Sequence, residues 1–238
     1  MMLDAATLDW QALNETVRDG GREIEIIHCT GERFIGAGAS DKKITIHGVP
    51  GNALGAYLDG GEIIARENVQ DAVGDTMNDG RIVVHGSAGD ALGYAMRGGR
   101  IFVRGDAGYR TGIHMKQYQE KRPVIVVGGR VRSFLGEYLA GGLIVVLGLG
   151  CTDVPAGNFI GTGMHGGEIW LRSLKPPQHL PPQVHLEEAD EEMLAAIRPQ
   201  LEEFSACFDL PMSQLTEGRF YRLTPNAQNP YKRLYVQN

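Results

Sequence analysis

The sequence predicts an all-β fold, a single-stranded, right-handed parallel β-helix of about eight coils. Three observations lead there. Glycine takes 33 of 238 positions, about twice its usual share of roughly 7%. A glycine recurs at Gly36, Gly55, Gly74, Gly93 and Gly112, 19 residues apart each time, then at Gly136 and Gly161 after steps of 24 and 25. Between these glycines a four-residue strand keeps its own columns. Its first position reads Ile44, Ile63, Ile82, Ile101, Ile125, Ile144 and Ile169. Its third reads Ile46, Ala65, Val84, Val103, Val127, Val146 and Leu171.

A unit of this length is too short for a strand–helix–strand crossover, which takes about 30 residues. It suits one coil of a solenoid, with equivalent residues stacked one strand spacing apart, ~4.8 Å. First and third strand positions share a face, so the Ile and Val columns fill the lumen. A bulky column (Leu58, Met77, Met96, Met115, Leu139, Met164) and a turn glycine (Gly61, Gly80, Gly99, Gly142, Gly167) complete the coil. The glycine columns mark corners that need positive φ or backbone packed on backbone. The longer steps are insertions, "KQYQEKRP" after Met115 and "CTDVPAGN" after Gly148, and neither shifts the columns that follow.

The elements then follow in order. Residues 1–22 form an N-terminal helical cap, because 7–19 place Leu8, Leu13 and Val17 at helical spacing before Gly20 and Gly21. The β-helix occupies 23–174, beginning with a weaker coil around Ile26, Ile27 and His28. Residues 175–186, "KPPQHLPPQVHL", read as a stiff proline-rich linker. Residues 187–238 hold a C-terminal helix with Met193, Leu194, Ile197, Leu201, Phe204 and Phe208 on one face, split or kinked at Pro199, and an aromatic, basic tail.

The second strand position should face outwards, yet it reads Thr45, Ile64, Val83, Phe102, Val126, Val145 and Trp170. An exposed apolar stripe of that length marks an interface. Either the C-terminal segment folds back over it, through Leu194, Phe204, Tyr221 and Tyr231, or a partner chain covers it. Ile64, Val83, Phe102, Val126, Val145 and Trp170 are the candidate interface residues.

The fourth position carries a basic column, His28, His47, Arg66, His85 and Arg104, continued by Gly128, Leu147 and Arg172. Histidines one coil apart suggest a metal, and a basic row an anion. A metal site wants three or four convergent ligands with outer support, and no carboxylate shares the column. A solvated or interface-facing row is the plainer reading. "GTGMHG" at 161–166 matches the dinucleotide pattern GxGxxG but leads into a strand instead of a helix, so it is a coincidence of the repeat. No GxSxG, HExxH or P-loop occurs, and no nucleophile is paired with a base. Cys29, Cys151 and Cys207 are far apart and odd in number, which argues for a reduced compartment. A net charge of −6 gives no footprint for nucleic acid or an acidic membrane surface. No apolar run approaches the ~18 residues of a membrane helix. A soluble, cytoplasmic protein is expected.

The strings "GNALGAYLDGGEII", "VGDTMNDGRIVVHG", "FLGEYLAGGLIVVLG" and "GNFIGTGMHGGEIWL" resemble the C-terminal GXGXG-motif β-helix domain of the glutamate synthase large (alpha) subunit. The resemblance covers about 23–174, insertions included, and the whole chain looks like the free-standing version found in split, archaeal-type glutamate synthases. The β-helical subunit of formylmethanofuran dehydrogenase is a more distant likeness. The resemblance implies a non-catalytic structural subunit, with no activity expected of the chain alone. Its partners would be an amidotransferase and an FMN-binding synthase subunit, which would hold the FMN and iron–sulfur cofactors; this chain would hold none. The family's N-terminal cysteine nucleophile and its iron–sulfur cysteines have no counterparts, so no catalytic residue is carried over. Alternatives are an N-methylglutamate synthase or formylmethanofuran dehydrogenase-like complex, or a homo-oligomer that binds a small anion.

Overall fold

The computed structural model describes residues 1–226. Eight strands follow one another in space as in sequence: β2 (Glu23–Thr30), β3 (Lys43–Val49), β4 (Asp59–Ala65), β5 (Asp79–Val84), β6 (Arg100–Val103), β7 (Val124–Val127), β8 (Ala140–Val146) and β9 (Gly166–Arg172). Each pairs in parallel with the next, so every coil rests on its neighbour. Ile44 lies opposite Ile63, and the isoleucine column continues in register through Ile82, Ile101, Ile125 and Ile144 to Ile169. Both insertions leave that register intact. The first- and third-position columns are fully buried in one lumen cluster, with Met77, Met96, Met115 and Met164 beside them. Thr111 is a fully buried polar side chain, and its hydroxyl donates to Gly108 O at 3.3 Å.

The side of the coil after the strand is held together by a device the columns of apolar residues do not reveal. Short side chains on one coil accept a backbone N–H from the next: Asn52 from Asp71, Asp71 from Asp90, and Asp90 from Tyr109. A second ladder runs from Asn68 to Ser87, Ser87 to Asp106 and Asp106 to Arg130. Gly89 illustrates its cost in sequence freedom. Its φ is not in the left-handed region, but a Cβ there would fall inside the van der Waals radius of Asp71 Oδ1. The glycine is present because the carboxylate below it fills the space.

The remaining corner is built from alternating left-handed residues. Gly55 has φ +64°, and a Cβ on it would strike the Ile82 side chain of the next coil, so only glycine fits. Two residues before and two after that column, non-glycine residues adopt the same conformation: Ala53, Ala72, Ala91, Arg110, Phe134 and Phe159 on one side, Tyr57, Thr76, Ala95, His114 and Tyr138 on the other. Each carries a strain of roughly 1–2 kcal/mol, which the packed lumen must offset.

Both ends of the solenoid are closed. At the first, β1 (Met2–Asp4) adds a parallel strand to β2, and α1 (Trp10–Asp19) lays Leu13 and Val17 over the lumen mouth. Asp9 caps α1 by accepting from Gln11 N and Ala12 N. The first coil is in a different register from the expected one: Ile24 and Ile26 oppose Ile44 and Ile46, and the register slips between Ile26 and Cys29. His28 sits in that irregularity with φ +55°, outside the regular column. At the far end β11 (Phe220–Pro225) pairs antiparallel with β9, and β10 (Val184–Glu188) pairs antiparallel with β11. Strands, not the C-terminal helices, therefore cover this edge. The proline-rich stretch is already in strand from Val184. Pro199 stands in the first turn of α3 (Arg198–Phe208), where its missing N–H costs nothing, so it starts that helix and separates it from α2 (Glu191–Ala195). A further short helix, α4 (Met212–Thr216), precedes β11.

Candidate interaction surfaces

The apolar stripe on the strand face is covered from within the chain. Val83, Phe102, Val126, Val145 and Trp170 are buried in a second cluster with Ile197, Leu201, Phe204 and Phe208 of the α2–α3 region, Leu215 of α4 and Phe220. Phe204 meets Phe102 edge-on at 6.2 Å, and Phe208 at 4.7 Å. Of the six candidate interface residues only Ile64, at the margin of the cluster, stays partly exposed. Phe204 and, at the edge, Leu194 lie where the fold-back reading puts them. Tyr221 does not: as a strand residue opposite Leu171 it points to the lumen cluster, because alternation along β11 sends Phe220 to the stripe and Tyr221 to the other face. Tyr231 lies outside the described residues.

Charged residues rim the cover. Arg81 bridges Glu62 and Glu203 of α3, and Arg100 reaches Glu203 at 3.3 Å. Glu168 accepts from Trp170 Nε1 at 2.9 Å and pairs with Arg222 at 3.1 Å and Arg122 at 3.5 Å. Burial works to raise the Glu168 pKa, but the hydrogen bonds from Arg222 and Trp170 and the charges of Arg222 and Arg122 outweigh it and hold the carboxyl low.

The basic column divides into parts. His28 and His47 do have carboxylate partners, contrary to the expectation from the column, because these come from neighbouring elements: Asp4 Oδ1 at 3.0 Å and Glu25 Oε1 at 2.8 Å. Arg172 donates to the carbonyls of Leu147, Gln214 and Glu217, so it braces α4. Arg66, His85 and Arg104 remain on three consecutive rungs. Among the described residues no group of three or more His, Cys, Asp or Glu side chains is arranged to hold a metal ion. Cys29 is buried and donates to Glu32 Oε2 at 3.1 Å; burial first, then Glu32, push its pKa up to about 12, so it is no nucleophile. The segment 161–166 forms the left-handed corner, with Gly161 and Gly163 at φ +69° and +70°, and runs directly into β9.

The left-handed corner is the face that α3 leaves bare. Phe34, Tyr57, Tyr94 and Phe159 on it account for four of the nine large apolar side chains exposed among the described residues. Tyr94 and Phe159 belong to ring clusters: His114 lies flat on Tyr138 at 5.0 Å and edge-on to Tyr94 at 5.9 Å, and Phe134 stacks on Phe159 at 4.9 Å beneath Arg110. The stacks follow from the rungs, since aromatic residues in one column stand one strand spacing apart. The sequence signal was present in the columns flanking the central glycine and is masked there by alanines.

A glycine-centred corner repeated along a parallel solenoid is also what sequence comparison recognises. The model of the GXGXG motif family matches residues 13–224. This chain belongs to the GXGXG motif family. The uncharacterized protein MJ1350 of Methanocaldococcus jannaschii is 43% identical over 251 aligned residues, spanning 99% of this chain and 96% of that protein. Among solved structures, a chain of the formyltransferase/hydrolase complex FhcABCD from Methylorubrum extorquens, determined with methylofuran, superposes with a TM-score of 0.65 at 21% identity, over 86% of this chain and 74% of that one. That likeness is one of fold. For this GXGXG chain the family assignment covers the helical cover and β11 as well as the coils. No helix among the described residues is long and apolar enough to cross a membrane.

Proposed function

We propose that the chain is a non-catalytic structural subunit of a glutamate synthase-like complex in glutamate biosynthesis and nitrogen assimilation, working in the cytoplasm. Its role is to hold an amidotransferase and an FMN-binding synthase subunit in register, with the flavin and iron–sulfur cofactors in those partners. The observation that carries the reading is the distribution of apolar surface. The strand-face stripe is satisfied internally, while the left-handed corner presents ordered, exposed aromatics on a rigid rung-by-rung frame. Tyrosine, phenylalanine and a cation-stacked ring are the side chains that anchor protein interfaces. Family membership supports the same role. A related oxidoreductase-type assembly, N-methylglutamate synthase or formylmethanofuran dehydrogenase-like, is the second reading, favoured by the solenoid's likeness to a chain of a multi-subunit complex.

Co-expression with candidate amidotransferase and synthase subunits tests the proposal. A Tyr94→Ala, His114→Ala, Tyr138→Ala variant should keep the wild-type melting curve to within a few degrees and lose co-elution. Undiminished co-elution of the folded variant would move the partner surface away from this corner. Co-elution with neither subunit would remove the glutamate synthase reading itself.

A further inference from the structure

We propose that Arg66, His85 and Arg104 form a binding site for a phosphate-class oxyanion on the corner where strand turns into ladder. Ala65, Val84 and Val103 are in direct register, so the three residues that follow them occupy successive rungs, ~4.8 Å apart. Like charges on directly opposed cross-strand positions are unfavourable. Nearby histidines meet carboxylates instead: His47, on the preceding rung, pairs with Glu25, and His28, outside the regular column, with Asp4. Acidic residues are not scarce, with 29 Asp and Glu against 23 Lys and Arg. Yet among the described residues no carboxylate pairs with Arg66, His85 or Arg104.

The local geometry brings Arg66 and His85 into contact without neutralising them, with Arg104 on the next rung. Arg66 Nη1 lies 3.1 Å from His85 Nε2, a contact in which the guanidinium donates and the imidazole accepts. His85 is thereby kept neutral, with its remaining proton on Nδ1. Phe208 of α3 stands edge-on to the imidazole at 5.3 Å and removes water from one side. Burial, then the charges of Arg66 and Arg104, lower the His85 pKa. The next rung is Gly128, which adds no side chain, so the row ends after Arg104. Glu67, the exposed neighbour of Arg66 in sequence, makes no ion pair with it; Glu25, which lines a cleft with Arg66, is taken by His47, and Asp106 Oδ1 accepts from Arg130 N.

Two exposed guanidiniums with an imidazole between them offer several N–H donors to one tetrahedral oxyanion, through charge-assisted bonds that need no deep pocket. An anion bound there would also cancel the repulsion that the rungs impose. The site is independent of the proposed complex, so either can fail alone.

Ring signals of the histidines, followed by NMR during titration with inorganic phosphate at constant ionic strength, test the site. Phosphate should shift His85 saturably and raise its titration midpoint, since a bound anion favours the charged imidazole. His28 and His47, already paired with carboxylates, should not move. An Arg66→Gln, Arg104→Gln variant should weaken the response at least tenfold, and Arg104→Gln alone several-fold. No saturable shift of His85, or an equal shift in the variants, would overturn the site. Acetate acting as strongly as phosphate would overturn the phosphate assignment in favour of carboxylates.

Discussion

Replacing Gly89 by alanine perturbs the polar ladder at a single rung. Asp71 Oδ1 accepts Asp90 N at 2.8 Å, and a Cβ on Gly89 would lie 2.1 Å from that oxygen, well inside contact distance. The next nearest atoms to the added carbon, Gln70 C and Asp71 N, lie at 3.0 and 3.1 Å, so the backbone itself is crowded less than the carboxylate. Alanine should therefore act mainly by evicting Asp71 from its bond. A hydrogen bond to a charged group contributes about 1.5–3 kcal/mol, and Gly89→Ala should cost that amount. Asp71→Ala removes the same bond from the other side and should cost about as much. The double variant loses the bond only once, so its cost should fall short of the sum by about 1.5–3 kcal/mol. Urea denaturation of the four proteins, followed by far-UV circular dichroism, measures all three differences. Additive costs would refute the explanation of this glycine as a place-holder for the carboxylate below it.

Three further expectations concern other parts of the fold. Phe204→Ala should destabilise the α3 cover by about 3–5 kcal/mol and red-shift the fluorescence of Trp170, which shares its cluster; an unchanged spectrum and melting curve would contradict the covered stripe. Glu168 has a folded pKa below its ordinary 4.5, so its stabilising contribution is complete above that value and is lost as pH falls through the lowered one; Glu168→Gln should flatten the acid limb of the stability profile below the ordinary value, and an unaltered profile would be the contrary result. Native protein treated with iodoacetamide at pH 8 should leave Cys29 unmodified while Cys151 reacts, and mass mapping showing Cys29 alkylated before unfolding would contradict its burial.

The coils were legible in the sequence because lumen packing repeats a side chain at a fixed spacing, and a column such as Ile44 to Ile169 has no other physical source. The stripe from Val83 to Trp170 was legible as a surface needing cover, and the periodic face of Leu201, Phe204 and Phe208 as material for it. Tyr221 was misplaced because β11 alternates, and an aromatic tail without visible period gives no face to read. The slip at His28 arose where an irregular strand shifts the count, which the columns cannot report. The Asx and serine ladders repeat as faithfully as the isoleucines, from Asn52 to Asp71 to Asp90, but short polar residues beside glycines read as turns. The aromatic corner was hidden because Tyr57, His114 and Tyr138 share their column with Thr76 and Ala95, and because only glycine announces a left-handed backbone.

Native mass spectrometry of the tagged chain purified from its own source, joined to visible absorbance and iron analysis, tests the structural-subunit claim most directly. The expected result is a defined assembly in which this chain is colourless by itself, the flavin and iron belong to a partner, and a partner hydrolyses glutamine. A chain recovered only as copies of itself, or one that produces glutamate from glutamine and 2-oxoglutarate unaided, would contradict it.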